Sequence, residues 1–252
     1  MSVKHLGVIV LAAGEGTRMK SNKPKVMHEL AGMPLLGHVL STAHSLGAAH
    51  VITVIRHQRD ILADYINAFY PTSVIADQDE IPGTGRAVEC GLAALPAEFN
   101  GAIVVTSGDV PMLQVDTIEA LIQAHLDGGF AATVLSTIAD DPTGYGRIVR
   151  TNDGEFQSIV EHKDATEAQH AIQEVNAGVY VFDSALLREA LPKLGSANAQ
   201  GEKYLTDVIS AALDAGQTVQ ALAVDDFWQV AGINDRIQLA EVAAELNARI
   251  CE

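Results

Sequence analysis

The stretch 6–32 constrains the fold most, because it changes within a few residues from an apolar strand to a basic loop. Residues 6–13, LGVIVLAA, are almost wholly apolar, as in a strand that is covered on both faces of a parallel sheet. Gly14 and Gly16 then allow a tight turn whose backbone N–H groups stay uncovered. The basic residues that follow in the loop are Arg18, Lys20, Lys23 and Lys25. Such a loop is suited to holding a polyphosphate.

The loop does not match two common nucleotide-binding motifs. The dinucleotide fingerprint G-x-G-x-x-G/A needs a small residue where Met19 stands. The P-loop needs a Gly-Lys pair, and the chain contains none. The residues LAAGEGTRM at 11–19, with Pro24-Lys25 close behind, instead resemble the signature of sugar-1-phosphate nucleotidyltransferases. If only the glycines are considered, the alternative interpretation of this loop is an ordinary strand-to-helix connection with solvated lysines.

The composition favours a cytoplasmic protein that binds an anion at one local site. The chain has 252 residues, 48% of them apolar, and no apolar run long enough to span a bilayer. Cys90 and Cys251 match no metal or redox spacing, which predicts a reducing compartment and two inert, packed thiols. The net charge of −16 disfavours nucleic acid and anionic membranes as partners. An anionic substrate must then be held by loop cations, backbone N–H groups and a metal ion.

Beyond the loop, short apolar runs alternate with helical patterns, as in an α/β protein. We expect a Rossmann-like, doubly wound, mainly parallel mixed sheet that binds ligands beyond the carboxyl ends of its strands. A C-terminal amphipathic helix should begin near Asn234, with an apolar face that runs from Leu239 to Ile250. The predicted helices are 34–46, 61–69, 84–95 and 115–127, and the predicted strands are 50–55, 73–76, 101–106 and 131–138.

After about residue 140 the pattern changes towards antiparallel structure. Two strand-like runs, 146–150 and 155–160, flank Asp153-Gly154, and Asp-Gly between such runs predicts a β-hairpin. Residues 140–225 should therefore form a small sub-region, antiparallel in part, that packs beside the nucleotide-binding half.

Asp109 is the first candidate metal ligand. It closely follows the most strand-like run, so its carboxylate should emerge at the ligand edge of the sheet, with Gly108 clearing space beside it. A helix cap or a turn before Pro111 is the alternative role for this aspartate. We expect Asp109 to bind a magnesium ion that meets the triphosphate.

Several blocks along the chain point to one family. In order they are LAAGEGTRM, KPKVMHELAG, PGTGRA, SGDVP, DDPTGYGRI, IVEHKDAT, VNAGVY, NAQGEKYLTDVI and AGINDR. Together they resemble the N-acetylglucosamine-1-phosphate uridylyltransferase family, which is the N-terminal pyrophosphorylase domain of the bifunctional enzymes that make UDP-N-acetylglucosamine. DDPTGYGRI and NAQGEKYLTDVI are more specific than the opening loop, which general sugar nucleotidyltransferases share.

The resemblance implies a domain organisation. Residues 1–232 would be the nucleotidyltransferase domain, with a nucleotide half to about 139 and a sugar-binding half from about 140. Residues 233–252 would be a helix that leads into a left-handed β-helix domain. The chain has no hexapeptide repeats, so acetyl transfer is not expected of it. It is either one domain of a longer protein or a single-domain form.

The resemblance also implies roles for individual residues. Arg18, Lys25 and Asp109 would be catalytic, with Arg18 and Lys25 holding the phosphates. Asp109 and Asn234 would bind Mg²⁺, and Asn234 would also contact substrate. The chain departs from other members beside the base site, at Ser107 and Ile81. The other implied substrate-binding residues are Leu11, Ala12, Ala13, Gly14, Gly16, Gln78, Gly83, Thr84 and Ser107 for the nucleotide, and Gly146, Glu161, Asn176, Tyr204 and Thr206 for the sugar.

The implied reaction is Mg²⁺-dependent transfer of a uridylyl group from UTP to N-acetylglucosamine 1-phosphate, which supplies cell-wall synthesis. The attacking phosphate oxygen is already ionised, so the protein would position and neutralise the reactants instead of providing a base. The alternatives are another sugar-phosphate or small-alcohol nucleotidyltransferase and a non-catalytic nucleotide-binding subunit. The second would be expected to lose Lys25, Asp109 or Asn234, and all three are present. The resemblance also allows a homo-oligomer, which would be a trimer where a β-helix domain is attached.

Overall fold

A nine-stranded mixed sheet forms the centre of the computed structural model, which describes residues 5–251. A separate two-stranded ladder, β2–β3, follows the basic loop. The strands are β1 Leu6–Ala12, β2 Glu29–Leu30, β3 Met33–Pro34, β4 His50–Ile55, β5 Val74–Asp77, β6 Ala102–Ser107, β7 Ala132–Ile138, β8 Arg147–Arg150, β9 Phe156–Val160, β10 Glu174–Asp183 and β11 Val219–Ala223. The α-helices are α1 Leu35–Ser45, α2 Arg59–Phe69, α3 Thr84–Ala93, α4 Val115–Gly128, α5 Glu167–His170, α6 Ser184–Ala190, α7 Thr206–Asp214 and α8 Arg236–Cys251.

The main path of the sheet runs in the order β11-β7-β10-β6-β1-β4-β5. Strands β6, β1, β4 and β5 are parallel neighbours, and β7 is parallel to β11. β10 is antiparallel to both β6 and β7, and the β8–β9 hairpin attaches to it. The expectation of a mainly parallel, doubly wound mixed sheet with a small antiparallel sub-region is confirmed.

Helices cover both faces of the sheet because the strand side chains alternate between two apolar cores. In β1, Ile9 packs into one core with α3, α6 and α7. Its neighbours Val8 and Val10 pack into the other with α1, α2 and α4. All three side chains are fully buried, which explains why this strand has no polar face in the sequence.

The helix and strand boundaries follow the predictions within about two residues, and the differences have local causes. α1 begins at Leu35 instead of residue 34, because Pro34 pairs with Glu29 in the β2–β3 ladder. α8 begins at Arg236, because the Asp235 carboxylate accepts hydrogen bonds from the main-chain N–H groups of Ile237 and Gln238, both at 2.9 Å.

Two expectations about packing at the end of the chain are wrong. Leu239, Val242, Ala243 and Leu246 pack against the body, but Ile250 is 67% exposed. Cys251 is also exposed, whereas Cys90 is half-buried against the core as expected. Ile250 and Cys251 are exposed for the same reason: Leu246 is the last α8 side chain that packs against the body of the protein.

The predicted hairpin is present as β8 and β9. Gly154 has a φ of +86°, and its N–H donates to the Thr151 carbonyl at 2.9 Å, as a tight turn requires. The long strand β10 lies between β6 and β7. The parts of the chain before and after about residue 139 therefore contribute strands to the same sheet. Within residues 5–251, no helix combines the length and the apolar character needed to cross a bilayer.

Candidate active site

A cavity of about 460 Å³ runs along the carboxyl ends of four neighbouring strands. Asp109 follows β6, Gly14 follows β1, Arg56 follows β4 and Gln78 follows β5, and all four residues line it. Ligands of doubly wound sheets bind at this edge, because the loops diverge there and leave space. The position expected from the sequence is therefore the one that the fold creates.

Gly16 sets the position of Lys25. Its φ is +69°, and a Cβ built on it would lie 2.5 Å from the Cβ of Lys25, so a larger residue would displace the lysine. Lys25 begins a short 3₁₀ turn whose other residues, Val26 and Met27, are buried. The glycine and the two apolar anchors together hold the lysine against the cavity wall.

Lys25 joins two side chains that are far apart in sequence. Its ammonium group donates hydrogen bonds to Asp109 Oδ2 and, at 3.1 Å, to Asn234 Oδ1. The side chains of Lys25 and Asp109 are each only 14% exposed. The Ile233 N–H donates to the Asp109 carbonyl at 2.9 Å, which fastens the Asn234 loop to the end of β6. The three residues expected to carry charge and metal thus form one contact group.

The oxygens of Asp109 and Asn234 suit a magnesium ion. Both contact the same ammonium group, so both converge on one cation position. Within the described residues there is no cluster of three His, Cys, Asp or Glu side chains that would hold a metal by itself. Mg²⁺ needs no such cluster, because it takes one or two protein oxygens and completes its shell with water and phosphate. The donor set fits the ion.

The loop at the β5 end is attached to a segment from the second half of the chain. Gly83 has a φ of +116°, and a Cβ on it would lie 2.3 Å from the carbonyl oxygen of Lys203. Gly85 N–H donates to that oxygen at 2.8 Å, and Leu205 N–H donates to Thr84 Oγ1 at 3.1 Å. The Thr84 hydroxyl therefore already accepts a hydrogen bond within the protein.

Gln78 has a fixed amide orientation in this loop. Its Nε2 donates to the carbonyl oxygens of Ile81, at 2.9 Å, and Gly83, at 3.3 Å. These two contacts use the donor end of the amide and leave Oε1 as the end that can accept from a ligand.

The residues expected to bind the sugar also meet in space, beside the cavity and outside its lining. Thr206 Oγ1 donates to Glu161 Oε1 at 3.0 Å, and Asn176 N–H donates to the Gly146 carbonyl at 2.8 Å. A Cβ on Gly146 would lie 3.5 Å from both Glu161 Oε2 and Asn176 Cβ. Tyr204 is buried next in sequence to Leu205, and its hydroxyl accepts from Gln200 Nε2 at 2.8 Å.

Two polar side chains of this sugar cluster are partly committed to the protein. Burial raises the pKa of Glu161, and nearby Asp164 acts in the same direction against the hydrogen bond from Thr206. Asn176 Nδ2 donates to the Tyr180 hydroxyl at 2.7 Å, and its Oδ1 accepts from Gly178 N–H at 3.0 Å. The cluster is thus held in place by its own hydrogen bonds.

Arg18 lies apart from the cavity. It lines a separate depression with Lys20 and Arg236, whose guanidinium donates to the main-chain oxygens of Met19 and Lys20 at 3.0 and 3.2 Å. The role of Arg18 in holding phosphates stays a prediction.

Several residues of the cavity wall were missed by the sequence reasoning. Arg56 and His57 directly follow β4, so the rule that ligands bind at the carboxyl ends of strands could have found them. Glu202 comes from a distant loop, and no local signal marks it. The cavity-lining residues that were not expected are Glu15, Val26, Arg56, His57, Pro82, Ala87 and Glu202.

Comparison with known proteins gives matches to a family model, to curated relatives and to a solved structure. Residues 8–215 match the model of the MobA-like NTP transferase domain. The chain is 57% identical over 245 residues to the bifunctional protein GlmU of Clavibacter sepedonicus, covering 97% of this chain and 50% of that protein. It is 56% identical over 248 residues to the bifunctional protein GlmU of Leifsonia xyli subsp. xyli, covering 98% of this chain and 51% of that protein. The chain thus spans about half the length of these curated relatives.

A solved structure has the same fold. It is a protein from Bacillus anthracis, assigned as a glucose-1-phosphate thymidylyltransferase and crystallised with sucrose. The two chains superpose with a TM-score of 0.75 over 95% of this chain and 94% of the other, at 18% identity. At that identity the likeness describes the fold alone.

Proposed function

The chain belongs to the MobA-like NTP transferase domain family, and from that membership we propose that it transfers a uridylyl group from UTP to N-acetylglucosamine 1-phosphate. The products are UDP-N-acetylglucosamine and pyrophosphate. The relatives named bifunctional protein GlmU support this choice within the family, because their identity to the chain exceeds 50% over nearly all of its length.

The observation that carries the proposal is the contact group of Lys25, Asp109 and Asn234 at a cavity bordered by the glycine loop. A non-catalytic nucleotide-binding subunit would have no need to bring a cation and two metal-binding oxygens together in a mostly buried position. The residues are assembled as charge neutralisation in phosphoryl transfer requires.

The chemistry needs no side-chain base. The phosphate oxygen of the sugar phosphate is ionised at neutral pH and attacks the α-phosphorus of UTP, while the bond to pyrophosphate breaks. The barrier comes from bringing two polyanions together, so binding geometry and positive charge supply the catalysis. Lys25 would neutralise the phosphates at the glycine loop, and the N–H groups beside Gly14 would hold their oxygens.

We further propose that the metal is Mg²⁺, held by Asp109 and Asn234. When bound, the ion would neutralise charge on the triphosphate and on the departing pyrophosphate. The support is the convergence of the two oxygens on one cation position and their hard-donor chemistry.

The base and the sugar would occupy opposite ends of the site. Gln78 Oε1 can accept the N3–H of uracil, since its Nε2 is used within the protein. Glu161 and Asn176 would bind hydroxyl and amide groups of N-acetylglucosamine, and Gly146 would let the ring approach closely. These assignments are supported by the way the protein itself holds Glu161 and Asn176 side by side at Gly146.

The decisive experiment measures pyrophosphate release from UTP and N-acetylglucosamine 1-phosphate, with Mg²⁺ and with EDTA. We expect release with the metal and none after chelation. A panel of four NTPs and several sugar phosphates tests the alternative of another nucleotidyltransferase, which faster release from a different pair would support. No release from any pair, together with UTP binding, would support a non-catalytic subunit.

A further inference from the structure

Arg56 is a cavity residue for which the proposed mechanism has no use. Lys25 and Arg56 are the lysine and arginine side chains that line the cavity in the described part of the chain. Lys25 is already bonded to Asp109 and Asn234. Arg56 is the other cationic side chain of this cavity wall, and no role has yet been assigned to it.

The protein uses little of the Arg56 guanidinium. The side chain is 24% exposed, and within residues 5–251 its one hydrogen bond is from Nη2 to Glu80 Oε2 at 2.8 Å. The Glu80 side chain is 98% exposed, so water competes for it and the pair contributes little to stability. Arginine carries five N–H donors. An arginine side chain that is mostly covered, yet keeps unused donors at a cavity wall, can offer those donors to a ligand.

The position of Arg56 along the sheet edge indicates which part of a nucleotide it meets. β4 and β5 pair in parallel with Ile55 opposite Asp77, so Arg56 and Gln78 are adjacent where the strands end. Asp109 follows β6, which is separated from β4 by β1. Two strand spacings amount to roughly 10 Å. A nucleotide with its phosphates at β1 and β6 would therefore have its base at β4 and β5.

The chemistry of Arg56 and Gln78 is complementary to a uracil edge. Uracil presents an N3–H donor between two carbonyl acceptors. Gln78 can accept through Oε1, and Arg56 can only donate. We infer that Arg56 is a substrate-binding residue that donates a hydrogen bond to a carbonyl oxygen of the bound pyrimidine. This inference rests on the proposed function, because it takes a uridine nucleotide as the occupant.

The test compares three variants by calorimetric titration. Arg56→Met removes the donors and keeps an apolar stem, and Arg56→Lys keeps one donor group. Glu80→Gln removes the ion pair and keeps the guanidinium. Each is titrated with UTP directly and with UMP by competition, and thermal unfolding checks that it is folded. We expect Arg56→Met to weaken both nucleotides by the same factor, about tenfold, as for one hydrogen bond to a charged donor. The affinities of Arg56→Lys should lie between those of the wild type and those of Arg56→Met. Glu80→Gln should bind both nucleotides as the wild type does.

Three outcomes overturn the inference. Unchanged UTP affinity in Arg56→Met means that the guanidinium does not touch the nucleotide. A loss for UTP without a loss for UMP means that it touches the outer phosphates. An equal loss in Glu80→Gln means that the ion pair acts by ordering its loop. These binding measurements do not depend on turnover. If the wild type binds UTP but releases no pyrophosphate, the proposed transfer reaction is refuted, and the role of Arg56 in nucleotide binding can still be tested.

Discussion

The Lys25 ammonium group lies where the charges of the site converge. Its two oxygen partners, on Asp109 and Asn234, are the atoms proposed to hold a metal. The lysine thus satisfies both oxygens, and an unpaired Asp109 carboxylate would be costly because its side chain is only 14% exposed. The same side chain is proposed to meet the phosphates, so binding of a nucleotide must exchange its partners.

We predict that Lys25→Ala and Asp109→Ala each lower the rate of pyrophosphate release by about 10³, because each removes a charge from the site of a polyanionic reaction. Lys23→Ala is the matched control, since Lys23 is 43% exposed and pairs with Glu29 at 3.0 Å. It should keep near-normal turnover. Stopped or coupled pyrophosphate assays measure the rates, and normal turnover in either test variant would refute the role assigned to it.

A second prediction concerns metal binding without nucleotide. Lys25→Met should raise the affinity for Mn²⁺ about tenfold or more, because a positive charge no longer occupies the position between Asp109 and Asn234. Electron paramagnetic resonance of free Mn²⁺ measures the affinity, with Lys23→Met as the control. An affinity equal to or below that of the wild type would contradict a shared cation position.

At the scale of elements, the segment 203–206 connects the two ends of the site. Its backbone is bonded to the first turn of α3, through Gly85 and Thr84. Thr206 at the start of α7 is bonded to Glu161 in the sugar cluster. The loop around Gly83 and the cluster around Glu161 are therefore parts of one bonded unit, although they come from different halves of the chain.

The close packing of that unit can be tested at Gly83. Gly83→Ala should destabilise the fold by about 1–3 kcal/mol more than Gly216→Ala, because only the first alanine meets the Lys203 backbone. Both glycines have positive φ, +116° and +74°, but Gly83 also has a ψ of +153°, a region essentially restricted to glycine, so backbone strain adds to the difference. Urea unfolding measures the difference in the free energy of unfolding. Equal values for the two variants would show that the loop at Gly83 can move to accommodate the added methyl group.

At the scale of the whole molecule, the charge is distributed unevenly. Sixteen basic residues oppose thirty-two acidic ones, yet four of the basic residues lie between positions 18 and 25. The protein repels polyanions at long range, and of these four residues Lys25 offers its positive charge at the cavity. The predictions of a cytoplasmic location and of a homo-oligomer rest on the sequence alone.

Stability should depend on pH through a buried histidine. His125 is 1% exposed, bonded to Thr133 and 3.5 Å from Asp183. Burial lowers its pKa below the ordinary value of 6.5, and Asp183 only partly opposes the shift. The unfolded chain therefore binds this proton more readily. The contribution of neutral His125 to the free energy of unfolding is fully present above pH 6.5, and it is lost as the pH falls through the lower pKa of the folded state.

We predict that the free energy of unfolding falls between pH 7.5 and pH 5 by less in His125→Gln than in the wild type. The variant has no group to protonate at this position. His5→Gln is the control, because His5 is exposed, and it should show the wild-type pH dependence. Urea unfolding at the two pH values measures the effect. An identical pH dependence in all three proteins would exclude His125 as a contributor.

Much of the fold and part of the site could be predicted from the sequence. The strand, the glycine turn and the cations of residues 6–32 are neighbours in the chain, and their conformation follows from local sterics and solvation. Asp109 could be placed at the ligand edge because it closely follows a buried strand. Asn234 and the sugar-binding residues could be named only through resemblance to a family, since each taken alone is an ordinary turn or surface residue.

The sequence by itself determined the strand, loop and helix pattern and the side of the sheet on which a ligand binds. Only the tertiary structure decided that Asn234, 209 residues from Lys25, reaches the same ammonium group. It also decided that β10 inserts antiparallel into the sheet and that Arg56 stands beside Gln78. The physical reason is that periodicity and turn chemistry report contacts between near neighbours, whereas these contacts depend on how distant segments cross the sheet.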